Sequence, residues 1–407
     1  MNHPVPAFVT IAMTGLTAGA QGAAPAIAGD HGSRRYEIEQ LDGLGGTSSR
    51  ANGITDWGLA TGYSNLETGA RRATLWFRGR PFPIEPLGGT HSSFAWSGTS
   101  DAGLLVGIAQ TGAPQTRADG WSCRAFFPGP EAATQTCLGF AWEWGRLHEL
   151  APLGGSNSFA TGANRKRQVV GWSEIDQVDP TCDSAGDLGF HAVLWDLEKE
   201  ETVELPPIGN DSASAATAIS DREHVVGISG DCDQSVGRES ARHAVMWRNG
   251  EVTDLGNLGG DTWNTPTAIS RRGDIIVGFG NAPGADPDAP SFRAWLWTER
   301  SDIRCRKLPG TQICDLGTLD PGGTAEAWGV NDHGQVVGTA CSPDGSCRVF
   351  LWEKGRMKDL DRMKGDYPHL LLNAMDINNR GEITGRAMVN ATTFEAIVAK
   401  PRGRDHD

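Results

Sequence analysis

Apolar residues in this chain come in short runs, and glycine closes them at a regular distance. Seven times an Ala-x-x-Ile-like segment leads into an Asn/Ser-Asp-x-Gly type of turn. The turn leads into an apolar run ending on Gly62, Gly107, Gly171, Gly227, Gly278, Gly338 or Gly385. Runs of this length flanked by turn residues are strand signals, and no segment sustains the 3.6-residue period of a helix. A second apolar run follows each glycine after a variable excursion. It reads Arg72-Ala-Thr-Leu-Trp76, Phe140-Ala-Trp-Glu-Trp144, His191-Ala-Val-Leu-Trp195, His243-Ala-Val-Met-Trp247, Arg293-Ala-Trp-Leu-Trp297 and Arg348-Val-Phe-Leu-Trp352, with a degenerate Glu395-Ala-Ile-Val-Ala399 at the end. A third element, as in Val252-Thr-Asp-Leu255 and Met357-Lys-Asp-Leu360, runs into Leu-Gly-Gly loops at Leu44, Leu87, Leu153 and Leu258.

The turns set the strand order. Asp332-His-Gly334 and Asn379-Arg-Gly381 are too short for anything but a tight hairpin, and Asn249-Gly250 and Lys354-Gly355 make a second one in their repeats. Each repeat therefore predicts four antiparallel strands, ending in a Leu-Gly-Gly crossover to the next. A repeat of this length, near or a little above that of propeller blades, predicts an all-β chain folded as one seven-bladed β-propeller over 36–400. The blades fall near 47–87, 88–153, 154–208, 209–258, 259–319, 320–363 and 364–400. The last has only three strands of its own, marked by Ile377, Ile383 and Ile397, and Tyr36–Leu41 matches the missing outer one. Closing the ring with strands from both chain ends leaves no exposed edge. Both tight turns then lie on one face, and the crossovers and long Gly-to-Trp excursions on the other.

These motifs resemble the HAF family of bacterial extracellular repeats, whose units join an Asn-Asp-x-Gly-x-Val-Val-Gly hairpin to an x-Ala-Phe-x-Trp strand. Val330-Asn-Asp-His-Gly-Gln-Val-Val-Gly338, preceded by Leu316-Gly-Thr-Leu319, matches most closely, and the likeness runs from about residue 36 to 400. The eponymous triplet departs, being His-Ala-Val twice and Arg-Ala-Trp once. The resemblance implies an extracellular propeller-type repeat protein and brings no catalytic residues with it.

Composition agrees. There are 54 glycines and 14 tryptophans, against 3 tyrosines. The net charge of −14 and the lack of a basic stripe disfavour nucleic acid as a partner. The short basic clusters Arg165-Lys166-Arg167 and Arg271-Arg272 read as solvated turns. Residues 1–28 carry no acidic, Lys or Arg side chain and end Ala26-Ile27-Ala28, an export-signal pattern, followed by a short linker at 29–35; 401–407 reads as a disordered tail. No later stretch is apolar enough to span a bilayer. The expected location is outside the cytoplasm, periplasmic or extracellular. Eight cysteines without a C-x-x-C pair favour disulfides over zinc. Cys182 with Cys232, Cys341 with Cys347, Cys123 with Cys137 and Cys305 with Cys314 are the proximate pairs, although spacing alone does not fix connectivity.

Binding residues concentrate on loops of rigid scaffolds, so the long-loop face is the candidate surface. Tyr63, Trp172 and Phe279 follow closing glycines, and Phe94, Phe159 and Trp263 follow crossovers. Such aromatics either stack on flat ligands or pack between blades. His91, beside a crossover, is the one histidine to test as catalytic; His191 and His243 read as structural. Loop acids, among them Asp183, Asp286 and Asp288, are weak calcium candidates, with no calcium-binding loop pattern around them. The turn residues Asp56, Asp101, Asp221 and Asp332 read as turn formers. Neither G-x-S-x-G nor H-E-x-x-H occurs. No cofactor is implied. The expected function is an extracellular binding or surface-interaction module for a carbohydrate or protein ligand; the alternative is a propeller hydrolase or lyase acting on a polymer.

Overall fold

The computed structural model describes residues 36–402 apart from 116–122, 124–125, 128, 130–133, 183–186, 233–240, 261–262 and 285–290. The export-signal, linker and tail segments thus lie outside the described residues, as do Asp183, Asp286 and Asp288. Among those described, the chain is all-β, with 28 strands. No helix among them is long and apolar enough to cross a membrane.

Five sheets have four strands each, and every one of the five pairs its strands in simple sequence order. The first repeat (Gly45–Ile54, Ala60–Leu66, Arg71–Phe77, Arg80–Ile84) and the last (Leu370–Ile377, Ile383–Asn390, Thr393–Pro401) belong to one eight-stranded sheet. A single parallel pair, Ser48 with Phe394, joins the two halves. The strand Tyr36–Gln40 completes the last half, running antiparallel to Thr393–Pro401 from Tyr36 opposite Pro401 to Gln40 opposite Ile397.

The closing glycines answer to one local geometry. In most repeats the inner strand bulges just after the residue opposite the glycine, as between Ala160 and Gly162 or Ala327 and Gly329. The inner-strand carbonyl then lies over the glycine Cα. A Cβ would stand 1.9–2.1 Å from that oxygen at all seven positions, for example 2.0 Å from Glu326 O at Gly338. In the Leu-Gly-Gly loops the first glycine takes a positive φ (+95° at Gly45, +120° at Gly154), while the second is pressed against the neighbouring strand.

Side chains repeated once per unit hold each sheet to the next. Ser92 Oγ accepts from Ala73 N (3.0 Å) and donates to Ile84 O (3.1 Å), so a hydroxyl of the second repeat ties together the outer two strands of the first. Ser158 and Ser214 do the same one and two repeats on. Ser49 of the first repeat accepts from Ala396 N of the last (2.9 Å). The recurrent tryptophans anchor crossovers: Trp76, Trp195 and Trp247 donate from Nε1 to Asp42 O, Ala151 O and Pro206 O, at 2.8–2.9 Å. The residue opening the Trp strand pairs with an acid on the outer strand. His191 meets Glu204 (2.5 Å), His243 meets Asp254 (2.8 Å), Arg293 meets Asp315 (2.8 Å) and Arg348 meets Asp359 (3.1 Å). His191 and His243 thus share one pairing position with Arg293 and Arg348. In the last repeat the roles are exchanged, Glu395 accepting from Gln40.

The tight turns between inner and second strands are linked as well. Asp56 N donates to Asp101 Oδ1 (2.7 Å), Arg165 N to Asp221 Oδ1 (2.9 Å) and Arg272 N to Asp332 Oδ1 (3.1 Å). Asp332 N continues to Asn379 Oδ1 (2.9 Å), and Asn379 N returns to Asp56 Oδ1 (2.8 Å). These aspartates therefore do more than shape their own turns, because their carboxylates cap the neighbouring one. Arg165 and Arg271 are not simply solvated either: Asp101 Oδ2 accepts from both, at 2.9 and 2.8 Å. The core lies mainly between sheets, as where Leu104, Val106 and Ala141 pack on Val169, Val193 and Trp195. The four cysteine pairs named from proximity are the four disulfides.

Candidate functional site: arginines around Tyr63

The position after each closing glycine points out of the second strand near its loop end. In successive repeats it holds Tyr63, Ile108, Trp172, Ile228, Phe279, Thr339 and Arg386. From the second to the fifth repeat it is apolar, and these residues meet in one cluster with Phe159, Phe190, Trp263 and Phe292. Phe159 lies 6.0 Å from Trp172 and Trp263 4.9 Å from Phe292, ring centre to ring centre. Phe94 packs separately, 5.5 Å from Phe140. Phe94, Phe159, Trp172, Trp263 and Phe279 are all no more than 4% exposed, so the structure places them between sheets and not on an open rim.

The other two candidates, Tyr63 and His91, are also buried, but among charges. The Arg71 guanidinium carbon is 4.0 Å from the centre of the Tyr63 ring and that of Arg50 is 5.4 Å away. Arg50 and Tyr63 face each other across the first hairpin, and Arg386 approaches from the last repeat. Arg71 also joins Tyr63 to His91: its backbone N–H donates to His91 Nδ1 (3.0 Å). With Nδ1 accepting, the neutral ring carries its proton on Nε2. Two residues near the Cys123–Cys137 disulfide lie against this group, Phe126 O accepting from Arg71 Nη1 (2.7 Å) and Phe127 stacking on His91 at 5.4 Å.

The electrostatics are unusual. Burial pushes the Tyr63 phenol up, but Arg71, Arg50 and Arg386 together outweigh it and bring it down to about 7. Burial, aided by repulsion from Arg386 and Arg71, lowers the Arg50 guanidinium to about 10. Besides Tyr63, the partners of these arginines among the described residues are neutral: Asn52 Oδ1 for Arg50 (2.7 Å), the Phe126 carbonyl for Arg71, and the Phe394 ring under Arg386 (5.0 Å). The Nε–H groups of Arg71 and Arg386 are buried without a partner among the described residues. The sequence offered one overlooked signal, Arg386 standing where the middle repeats are apolar. Arg50 and Arg71 carried none.

At the opposite end a small well lies between the tight turns, lined by Asp221, Arg271, Asn331, Asp376 and Asn379 among others. Asp376 accepts from Ile54 N (3.0 Å), and burial pushes its carboxyl up to about 6 despite that bond and Arg271. Of the loop acids, Asp179 is occupied by Thr181 and Asp231 by Arg242. Among the described residues one group has metal-ligand geometry, Asp179 with Cys182 and Cys232, and its two sulfurs are bonded to each other.

No family model matches the chain, and no curated protein matches it in sequence. Among solved structures it is similar to the β-propeller domain of the Trilobed protease from Pyrococcus furiosus, at 11% identity over 92% of this chain and 94% of that one, with a TM-score of 0.49. It is similar also to an oligogalacturonate lyase in complex with manganese, at 9% identity over 90% and 91% of the two chains, with a TM-score of 0.48. The tricorn protease gives 9% identity over 93% of this chain and 36% of that one, at 0.46.

Proposed function

We propose that the chain is an exported seven-bladed β-propeller of HAF-type repeats that serves as a binding module, its ligand held at the long-loop end. Support for seven closed blades comes from the Tyr36–Gln40 strand beside Thr393–Pro401 and from the turn-to-turn bonds that return from Asn379 to Asp56. Four disulfides fit export. One observation carries the binding reading: where the second to fifth repeats bury apolar side chains, the first and last bring three arginines to a single phenol with no carboxylate partner among the described residues. A well-packed scaffold gains nothing from such a group. The test is a screen of the purified protein against glycans and soluble polymers, read for both binding and product. Saturable binding without turnover supports the module. Turnover lost on a single loop Asp or His substitution would replace it with a polymer-cleaving enzyme.

A further inference from the structure

We infer that Arg50, Arg71 and Arg386 form a site for an oxyanion, a carboxylate, sulfate or phosphate group, with the Tyr63 phenol as its floor; this rests on reading the long-loop end as the ligand end. The contrast with other arginines argues for it. Arg72 has Glu85, Arg167 has Glu143, Arg271 has Asp101, Arg293 has Asp315 and Arg348 has Asp359. Among the described residues no carboxylate pairs with Arg50, Arg71 or Arg386. Arg386 is only 5% exposed. Burying one guanidinium without a counter-charge is costly, and three around one ring repel each other as well.

Tyr63 relieves this only in part, since even a fully ionised phenol supplies one negative charge against three positive ones. What the group lacks is an acceptor with several oxygens. Arg167 and Arg293 also have a buried Nε–H without a hydrogen-bond partner, so what sets Arg71 and Arg386 apart is that their open donors lack a carboxylate nearby among the described residues; guanidinium forks match planar carboxylates and tetrahedral oxyanions alike.

The experiment measures thermal stability and calorimetric binding of the disulfide-bonded protein with sodium sulfate, sodium phosphate and sodium glucuronate. Sodium chloride of matched ionic strength is the control. At least one anion should raise the melting temperature saturably, with a Kd below about 1 mM. Glucuronate alone points to an acidic sugar as the source, and sulfate or phosphate to an ester or free ion. Arg71→Gln and Arg386→Met should each weaken that binding about tenfold or more. Arg386→Met without anion should melt no lower than wild type, because it removes an uncompensated buried charge. That outcome separates a ligand site from a structural one. An anion response no larger than that of chloride, or one unchanged in both variants, overturns the inference. Neutral-glycan binding that survives both substitutions would also overturn it, while leaving the long-loop end as the ligand end.

Discussion

Arg271 Nη1 lies 2.8 Å from Asp101 Oδ2, although the two turns that carry them are three repeats apart. The same guanidinium reaches toward Asp56 Oδ2 at 3.6 Å. The pair is largely shielded, the Asp101 side chain being 9% exposed, so its loss should cost more than a surface ion pair. Arg271→Ala should lower unfolding stability by about 1–3 kcal/mol. Arg271→Lys should recover little, since an ammonium cannot fork between two carboxylates. Denaturant midpoints of the three proteins check this, and equal midpoints would show that the contact contributes nothing.

Closing glycines should be far less tolerant than turn glycines. Gly338→Ala places a methyl 2.0 Å from Glu326 O and 2.8 Å from the Phe350 ring, and nothing there can yield cheaply. The expected loss exceeds about 4 kcal/mol, enough to prevent accumulation of folded protein. Gly317 has φ +81° and open space around its missing Cβ. Gly317→Ala should cost only about 1 kcal/mol. Thermal melts of the two variants would decide.

Glu326 is partly buried, and burial pushes its carboxyl from 4.5 up to about 7. A native pKa above the unfolded one favours the folded state fully below about pH 4.5, and this contribution is lost as the pH rises through 7. Glu326→Gln should therefore leave stability near pH 4 unchanged and raise it at pH 8 by about 1–3 kcal/mol. Parallel pH profiles for the two proteins would refute the assignment.

Tyr63 should titrate well before Tyr367. Its phenol is held at about 7 by the surrounding arginines, whereas burial pushes Tyr367 up to about 12. Ultraviolet titration should show a phenolate step close to neutrality, and Tyr63→Phe should abolish that step while keeping the ring. A first step above pH 9 would mean that the arginines do not act on the phenol as described.

The strand Tyr36–Gln40 should be indispensable. Tyr36 is fully buried and Leu41 is 2% exposed. A chain beginning at Asp42 would leave the strand Thr393–Pro401 with an open edge and should melt well below the longer protein. A synthetic peptide of Tyr36–Leu41 added in excess should restore part of the loss. Equal melting temperatures with and without the strand would exclude it from the folded unit.

The strand order within repeats was legible because turn chemistry is local: Asn331-Asp332-His333-Gly334 can do little else than reverse the chain. The cysteine pairs were legible because loops of the same or adjacent repeats bring them near. Burial of Phe159 or Trp263 was not, since an aromatic after a crossover looks the same whether the neighbouring sheet covers it or solvent does. The arginine cluster was hidden for a related reason. Arg50 and Arg386 are 336 positions apart, and only the meeting of the first and last repeats gives them a common neighbour in Tyr63. The turn aspartates were visible as a pattern, but the amides they cap lie in other repeats.

The serine links have a consequence for how such a chain can change its length. Ser92, Ser158 and Ser214 each satisfy an amide and a carbonyl that belong to the preceding unit. A cut that falls inside a unit would strand the amide and the carbonyl its serine serves, whereas a cut at equivalent points of two units hands them to the next serine, and lengthening the excursion before a Trp strand disturbs neither. Such a chain can change length only in whole modules or by decoration of its loops.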